Sequence, residues 1–286
     1  MPTLEFDRLP SLGAQYARAL FTRHAKGTAI PRLDAVAKGV TSDPARLAAY
    51  RRVCGFASGG VPATWPQVLA TPLHAALLGH AAFPLPMLGL VHVRNRIEQR
   101  RALGVDEPLD LHCFLEGQRE AKRGVEFDLV TRATAAGAVA WEATTTILSR
   151  TKTPPSGPRV AADTAPGEAP GAARSVLWRV GADLGRRYAG VSGDYNPIHL
   201  TAATAKAFGF PRAIAQGAWL LARAVAESAD LVPGDALAID VAFKKPVPLP
   251  STVLFTAHCR EAGADFGVWH RDGAGQHLAG SVQRLG

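Results

Sequence analysis

Strand-like runs of apolar, β-branched and aromatic residues cover Leu109 to Glu116, Gly124 to Ala133 and Val139 to Leu148, with glycine-containing turns between them. Similar runs cover Ala236 to Phe243, Thr252 to Arg260, Gly267 to His270 and Leu278 to Leu285. Short runs of this kind joined by turns predict an antiparallel sheet in each set. Gly217 to Leu231 follows a different rule: it is apolar nearly all round and meets no breaker before Pro233-Gly234. It predicts a buried central helix of about four turns. Gly89 to Ile97 also starts an apolar segment directly after a proline-containing loop, in the corresponding place ahead of the first set of strands.

No apolar period survives between Thr151 and Ala173, where Pro, Gly and Ala dominate. This stretch, 151–173, reads as a linker between a unit at 1–150 and a unit at 174–286. The two units repeat each other. Val40 to Asp43 precedes Tyr50, Val53 and Gly55, and Val180 to Asp183 precedes Tyr188, Val191 and Gly193. Both follow V-x-x-D and then Y-x-x-V-x-G, which predicts a strand and then a helix with the aspartate accepting a bond from a free N–H of its first turn. A helix, a central helix and antiparallel strands, given twice, imply two copies of an α+β unit in which a sheet wraps one apolar helix.

With 286 residues, 47% hydrophobic and 20% charged, the chain can bury a core for both units. Its net charge of +8 calls for an anionic partner. The basic residues are scattered in short groups such as Arg51-Arg52, Arg100-Arg101 and Lys244-Lys245, without the interleaved aromatics of a stacking platform. That argues against nucleic acid and leaves an anionic lipid or a phosphorylated cofactor, between which charge does not choose. Cys54, Cys113 and Cys259 are odd in number and lack metal-pair spacing, so neither a disulfide framework nor a metal site is expected. No leader pattern and no apolar run of membrane-spanning length is seen, which places the expected location in the cytoplasm.

The repeat is unequal in chemistry. Gly193 is followed by Asp194, Asn196, Pro197 and His199, whereas the positions counted from Gly55 carry Phe56 for Asp194, Ser58 for Asn196 and Val61 for His199. Taken alone, D-x-N-P is a turn, because Asp and Asn side chains bond their own backbone and Pro fixes φ. Here a carboxylate and an imidazole flank that rigid turn, and a glycine opens a buried helix further on. The string from Tyr188 to His199 resembles the signature Y-x-x-V-S-G-D-x-N-P-I-H of the MaoC-type dehydratases and R-specific enoyl-CoA hydratases. The resemblance runs on through Phe210 to Gly217 and Val241 to Val247. The first unit is similar to the degenerate partner domain of the double-hotdog members.

That resemblance implies a tandem hotdog, one extended antiparallel sheet wrapping two central helices, with one active site per chain. It implies that Asp194 and His199 hold one water, or the substrate's 3-hydroxyl, and exchange protons with it, converting a trans-2-enoyl thioester and a (3R)-3-hydroxyacyl thioester in fatty acid metabolism. Asn196 would bond the pair or its turn, and Pro197 would stiffen the loop. Removing the α-proton places charge on the thioester oxygen. The N–H of Gly217, at the positive end of a helix and with no Cβ in the way, is the candidate to stabilise it.

The family commonly has His before this glycine, where Ala215-Gln216-Gly217-Ala218 stands here; Gln216 can hydrogen-bond but cannot titrate. Ala215, Gln216, Pro197, Arg212 and Lys244 complete the expected substrate contacts, with Arg212 and Lys244-Lys245 toward the phosphates of coenzyme A or the phosphopantetheine of a carrier protein. No cofactor is expected beyond that part of the substrate. Tyr188, which recurs as Tyr50, and His74, His80, His92 and His112 read as structural. Two rival functions remain open: a thioesterase, in which one carboxylate sends water to the carbonyl, and a non-catalytic subunit that binds acyl thioesters. The chain would act as a monomer or a homodimer.

Overall fold

The computed structural model describes residues 3–15, 22, 27, 29–57, 59–87, 89–150 and 173–286. Ser58 and all of the 151–173 linker except Ala173 lie outside them. Among the described residues one sheet of eleven strands runs through the molecule in the order β1-β2-β4-β5-β6-β3-β8-β11-β10-β9-β7. The first half supplies β1 (Thr3–Phe6), β2 (Asp34–Val40), β3 (Leu90–Gln99), β4 (Leu109–Ala121), β5 (Gly124–Ala135) and β6 (Ala138–Arg150). The second supplies β7 (Arg174–Val180), β8 (Leu237–Phe243), β9 (Ser251–Arg260), β10 (Gly263–His270) and β11 (Gln276–Arg284).

The order β2-β4-β5-β6-β3 reads outward to inward as β7-β9-β10-β11-β8 does from the other edge, so the halves are two copies of one unit. They join at β3 and β8, which pair antiparallel with Asn95 opposite Val241 and Ile97 opposite Ile239. Arg96 bonds Asp240 across this seam at 2.9 Å. This is the tandem hotdog that the resemblance implies. One edge departs from the antiparallel plan, because β1 pairs with β2 in parallel.

The helices are α1 (Pro44–Cys54), α2 (Trp65–Leu69), α3 (Thr71–Leu78), α4 (Leu184–Ser192), α5 (Ala202–Lys206) and α6 (Gly217–Ser228). Helix α6 is the expected buried helix, ending three residues before Leu231; Leu220, Leu221, Ala222 and Ala224 are buried. Its counterpart is not the segment beginning at Gly89. Leu90–Gln99 is strand β3, and the sheet order matches it to β8. The first half's central helix is α2 and α3 together, broken between Leu69 and Thr71. Pro72 lacks an N–H, and its ring crowds the carbonyl four residues back, so a helix through Val68 cannot continue unbroken.

Helices α1 and α4 fulfil the repeated motif, with one difference. The Asp43 side chain accepts from the Arg46 N–H at 2.6 Å, whereas Asp183 makes no such cap. Tyr50 and Tyr188 are both fully buried, and their ring centres lie 6.2 Å apart. The two copies therefore meet through the residue they share.

Candidate active site

Helix α4 ends at Gly193, whose φ of 83° turns the chain out of the helix. The Ser192 hydroxyl accepts from the Asp194 N–H at 3.1 Å, and Asp194 Oδ1 accepts from the Asn196 N–H at 3.2 Å. Asn196 Oδ1 in turn accepts from the Ile198 N–H at 3.3 Å and caps a single 3-10 turn, Pro197–His199, with Pro197 in its first position. Each short polar side chain is spent on the backbone of the next step, which fixes the loop without help from solvent.

His199 is 8% exposed, and its Nδ1 lies 2.8 Å from the Ile214 carbonyl. A carbonyl only accepts, so Nδ1 carries the proton and neutral His199 presents the lone pair of Nε2. That Nε2 stands 3.7 Å from Asp194 Oδ2. The gap is too long for a direct hydrogen bond and shorter than two hydrogen bonds end to end, so a single oxygen can touch both groups.

Both residues line a cavity of about 300 Å³ together with Asn196, Ala215, Gly217 and Lys244. Gly217 begins α6, so its N–H has no partner within the helix. A Cβ at this position would come within 3.2 Å of the Phe243 ring, leaving room on that wall only for glycine or for a shifted ring. Ala215 is held by its N–H to the Val247 carbonyl at 2.8 Å.

Three of the expected substrate contacts lie elsewhere. Gln216 is buried behind the loop, where its Nε2 donates to the Gly185 carbonyl at 2.9 Å and faces the Asp194 carbonyl at 3.4 Å. It positions Asp194 and does not line the cavity, because its backbone turns the side chain back toward α4 as α6 begins. Arg212 points out to the Pro250 carbonyl at 3.3 Å. Pro197 stiffens the turn from outside the cavity wall.

The first half contributes residues that the motif did not announce. Arg123, from the turn between β4 and β5, and Arg150, at the end of β6, line the same cavity as Lys244 and Lys245. None of the four has a carboxylate partner among the described residues. His92 of β3 lines it too, and burial pushes its imidazole down to about 4.

Arg46 of α1 reaches across to the end of α4, donating from Nε to the Val191 carbonyl at 2.7 Å and from its fork to the Ser192 carbonyl at 3.3 Å. It satisfies carbonyls that the helix end leaves free, directly before the Asp194 loop. The reciprocal bond runs from Trp219 Nε1 to the Val53 carbonyl of α1 at 3.0 Å. Arg46→Met should lower kcat about tenfold with KM nearly unchanged, since sub-ångström displacement of a reacting group costs rate before it costs binding. Arg46→Lys, which retains one donor, should recover part of the loss; equal kcat in all three proteins would show that the cap does not set the loop.

Known proteins share this sequence pattern and fold. The family model of the MaoC like domain matches residues 162–270. The 3-hydroxyacyl-thioester dehydratase X of Mycobacterium tuberculosis is 35% identical over 258 residues, covering 90% of this chain and 91% of its own. The crystal structure of HtdX from the same organism superposes with a TM-score of 0.77 at 32% identity, covering 88% of this chain and 100% of that one. A MaoC-like dehydratase from Phytophthora capsici shares the fold at 16% identity, with a TM-score of 0.71, over 90% of this chain and 95% of its own. On the extent and identity of the Mycobacterium match, the chain belongs to the MaoC-like dehydratase family.

Proposed function

We propose that this chain adds water across the α,β double bond of a trans-2-enoyl thioester to give the (3R)-3-hydroxyacyl thioester, and removes it in reverse, as a hydro-lyase of fatty acid metabolism. The observation that carries the reading is the placement of His199 Nε2 and Asp194 Oδ2, 3.7 Å apart, on the wall of the cavity that the first turn of α6 also lines.

The pair works with one proton between its members. In hydration, His199 Nε2 takes a proton from the bound water as its oxygen attacks C3, and protonated Asp194 gives its proton to C2. In dehydration, protonated His199 gives its proton to the departing 3-hydroxyl while the Asp194 carboxylate takes the C2 proton. Charge that builds on the thioester oxygen meets the N–H of Gly217 at the positive end of α6. Both groups lie on one side of the substrate, so addition is syn.

Arg123, Arg150, Lys244 and Lys245 suit the phosphates of coenzyme A or of a phosphopantetheine arm, and the reaction calls for no further cofactor. Nucleic acid has no part in it. The two halves complete one site between them, so a monomer suffices, whether or not the chain also forms a homodimer. Among the described residues no helix is long and apolar enough to cross a membrane; we place the enzyme in the cytoplasm. The product configuration tests the reading: crotonyl-CoA should yield the (3R)-3-hydroxy thioester, and the (3S) product would mean that water is delivered from the other face.

A further inference from the structure

A second cavity, of about 150 Å³, lies between the two central helices and shares Asp194 and Ala218 with the first. Its walls differ from those of an ordinary acyl tunnel. Thr64, Gln67, Thr71 and His74 fall at i, i+3, i+7 and i+10 along α2 and α3, so one face of the first half's central helix turns a polar stripe inward. Only Val68 relieves it on that helix, while α6 presents Ala218 and Leu221 opposite. Tyr50, Tyr188 and Ser192 complete the uncharged polar lining, beside Asp194.

These groups are held in place from behind. Gln67 Oε1 accepts from Asn95 at 3.1 Å, and its Nε2 donates to Thr145 at 3.1 Å. His74 Nε2 lies 2.8 Å from the Thr131 hydroxyl, and Tyr50 donates to Thr64 at 2.8 Å. Asn95, Thr131 and Thr145 are themselves buried in the sheet. These bonds leave part of the capacity of the groups unused, a second lone pair and a second N–H on Gln67 and the hydroxyl proton of Thr64, which a guest in the cavity can answer. All of them are uncharged: burial, with His92 nearby, pushes His74 down to about 4, and burial raises both tyrosines well above 10.

We propose that this cavity receives the distal part of the acyl chain and selects chains that carry an uncharged oxygen function there, a hydroxyl or a keto group, over plain alkyl chains. The inference rests on the acyl-thioester reading above. A cavity of this size holds a group of about six non-hydrogen atoms, which corresponds to the carbons beyond C3 of an eight-carbon acyl group and one oxygen. A plain alkyl end would remove hydrogen-bonding partners from the walls and return none. An anionic end is excluded by charge, since no lysine or arginine lines the cavity and the Asp194 carboxylate stands at its edge.

The test compares trans-2-octenoyl-CoA with its 7-hydroxy and 7-keto derivatives, using crotonyl-CoA as a substrate too short to fill the cavity. Inhibition constants of the saturated octanoyl-CoA and 7-hydroxyoctanoyl-CoA are measured alongside. The oxygenated chains should exceed the plain chain by about tenfold or more in kcat/KM, the hydroxylated inhibitor should bind more tightly, and Thr71→Val and Gln67→Leu should each move the preference toward one. Equal or better handling of the plain chain by the wild-type protein, in turnover or in inhibition, overturns the proposal even where crotonyl-CoA is hydrated. Absent hydration of crotonyl-CoA strikes the hydratase reading instead, and the inhibition constants then decide the subsite by themselves.

Discussion

Asp194→Asn and His199→Ala should each lower kcat for hydration of an enoyl thioester by about a thousandfold, with KM and thermal midpoint changing little. Both side chains face the cavity, and the loop that carries them is tied by other atoms. Asp194 Oδ1 accepts the Asn196 N–H, a bond that the amide oxygen of Asn can reproduce, and the turn at Pro197–His199 is capped by Asn196. His199→Ala gives up one bond to the Ile214 carbonyl, while the backbone bond from the Ile214 N–H to the Ile198 carbonyl remains. The double variant should be little worse than either single one, because proton transfer at the oxygen and proton transfer at C2 belong to one step that needs both groups. Losses that multiply would mean that the residues act at separate steps.

The second large effect belongs to a residue that touches no substrate. A Cβ on Gly185 would lie 1.8 Å from the His199 carbonyl oxygen and 2.8 Å from its carbonyl carbon. The obstacle is backbone, so no rotamer relieves it; either α4 or the catalytic turn must move. Gly185→Ala should cost about 1–3 kcal/mol of stability, a fall of roughly 3–10 °C in Tm for a chain of this size. It should also reduce kcat by about a hundredfold through displacement of His199. Melting by circular dichroism and turnover well below the melting range measure the two effects. A variant that melts and turns over like the wild type would mean that α4 does not pack on the turn as described.

The contrast between these residues explains what the sequence could disclose. Asp194, Asn196 and His199 were legible because a single turn brings them together within a few positions, and a local turn is encoded locally. The strands after Leu109 and Ala236 were legible as short strand-like runs set off by glycine-containing turns. Helix α6 was legible because it is buried on nearly all sides and uninterrupted.

The first half's central helix was not legible. Pro66 and Pro72 punctuate it, and its inward face carries Thr64, Gln67, Thr71 and His74 where a helix period should show apolar residues. The apolar start of β3 was matched to α6 in its place, since a short apolar run after a proline-containing loop has no period to separate strand from helix. Only the pairing of β3 with β8 makes the true correspondence visible.

Arg46, Arg123 and Arg150 were out of reach for a different reason. Each lies in the first half, away along the chain from Asp194, and reaches the site only because the two units share one sheet and pack their helices together. Gln216 adjoins Gly217 in sequence, yet its direction depends on the backbone angle at the start of α6, which no neighbouring residue type dictates. His74 and His92 read as structural by spacing, and in the fold they line the two cavities.

The most direct test follows the ultraviolet absorbance of the conjugated enoyl thioester as purified protein acts on crotonyl-CoA, with free thiol measured in the same sample. The account predicts loss of absorbance without thiol release, stopping at an equilibrium that the 3-hydroxyacyl thioester also reaches from its side. Thiol appearing in step with the loss of absorbance would contradict it, since water would then be meeting the carbonyl carbon and not C3.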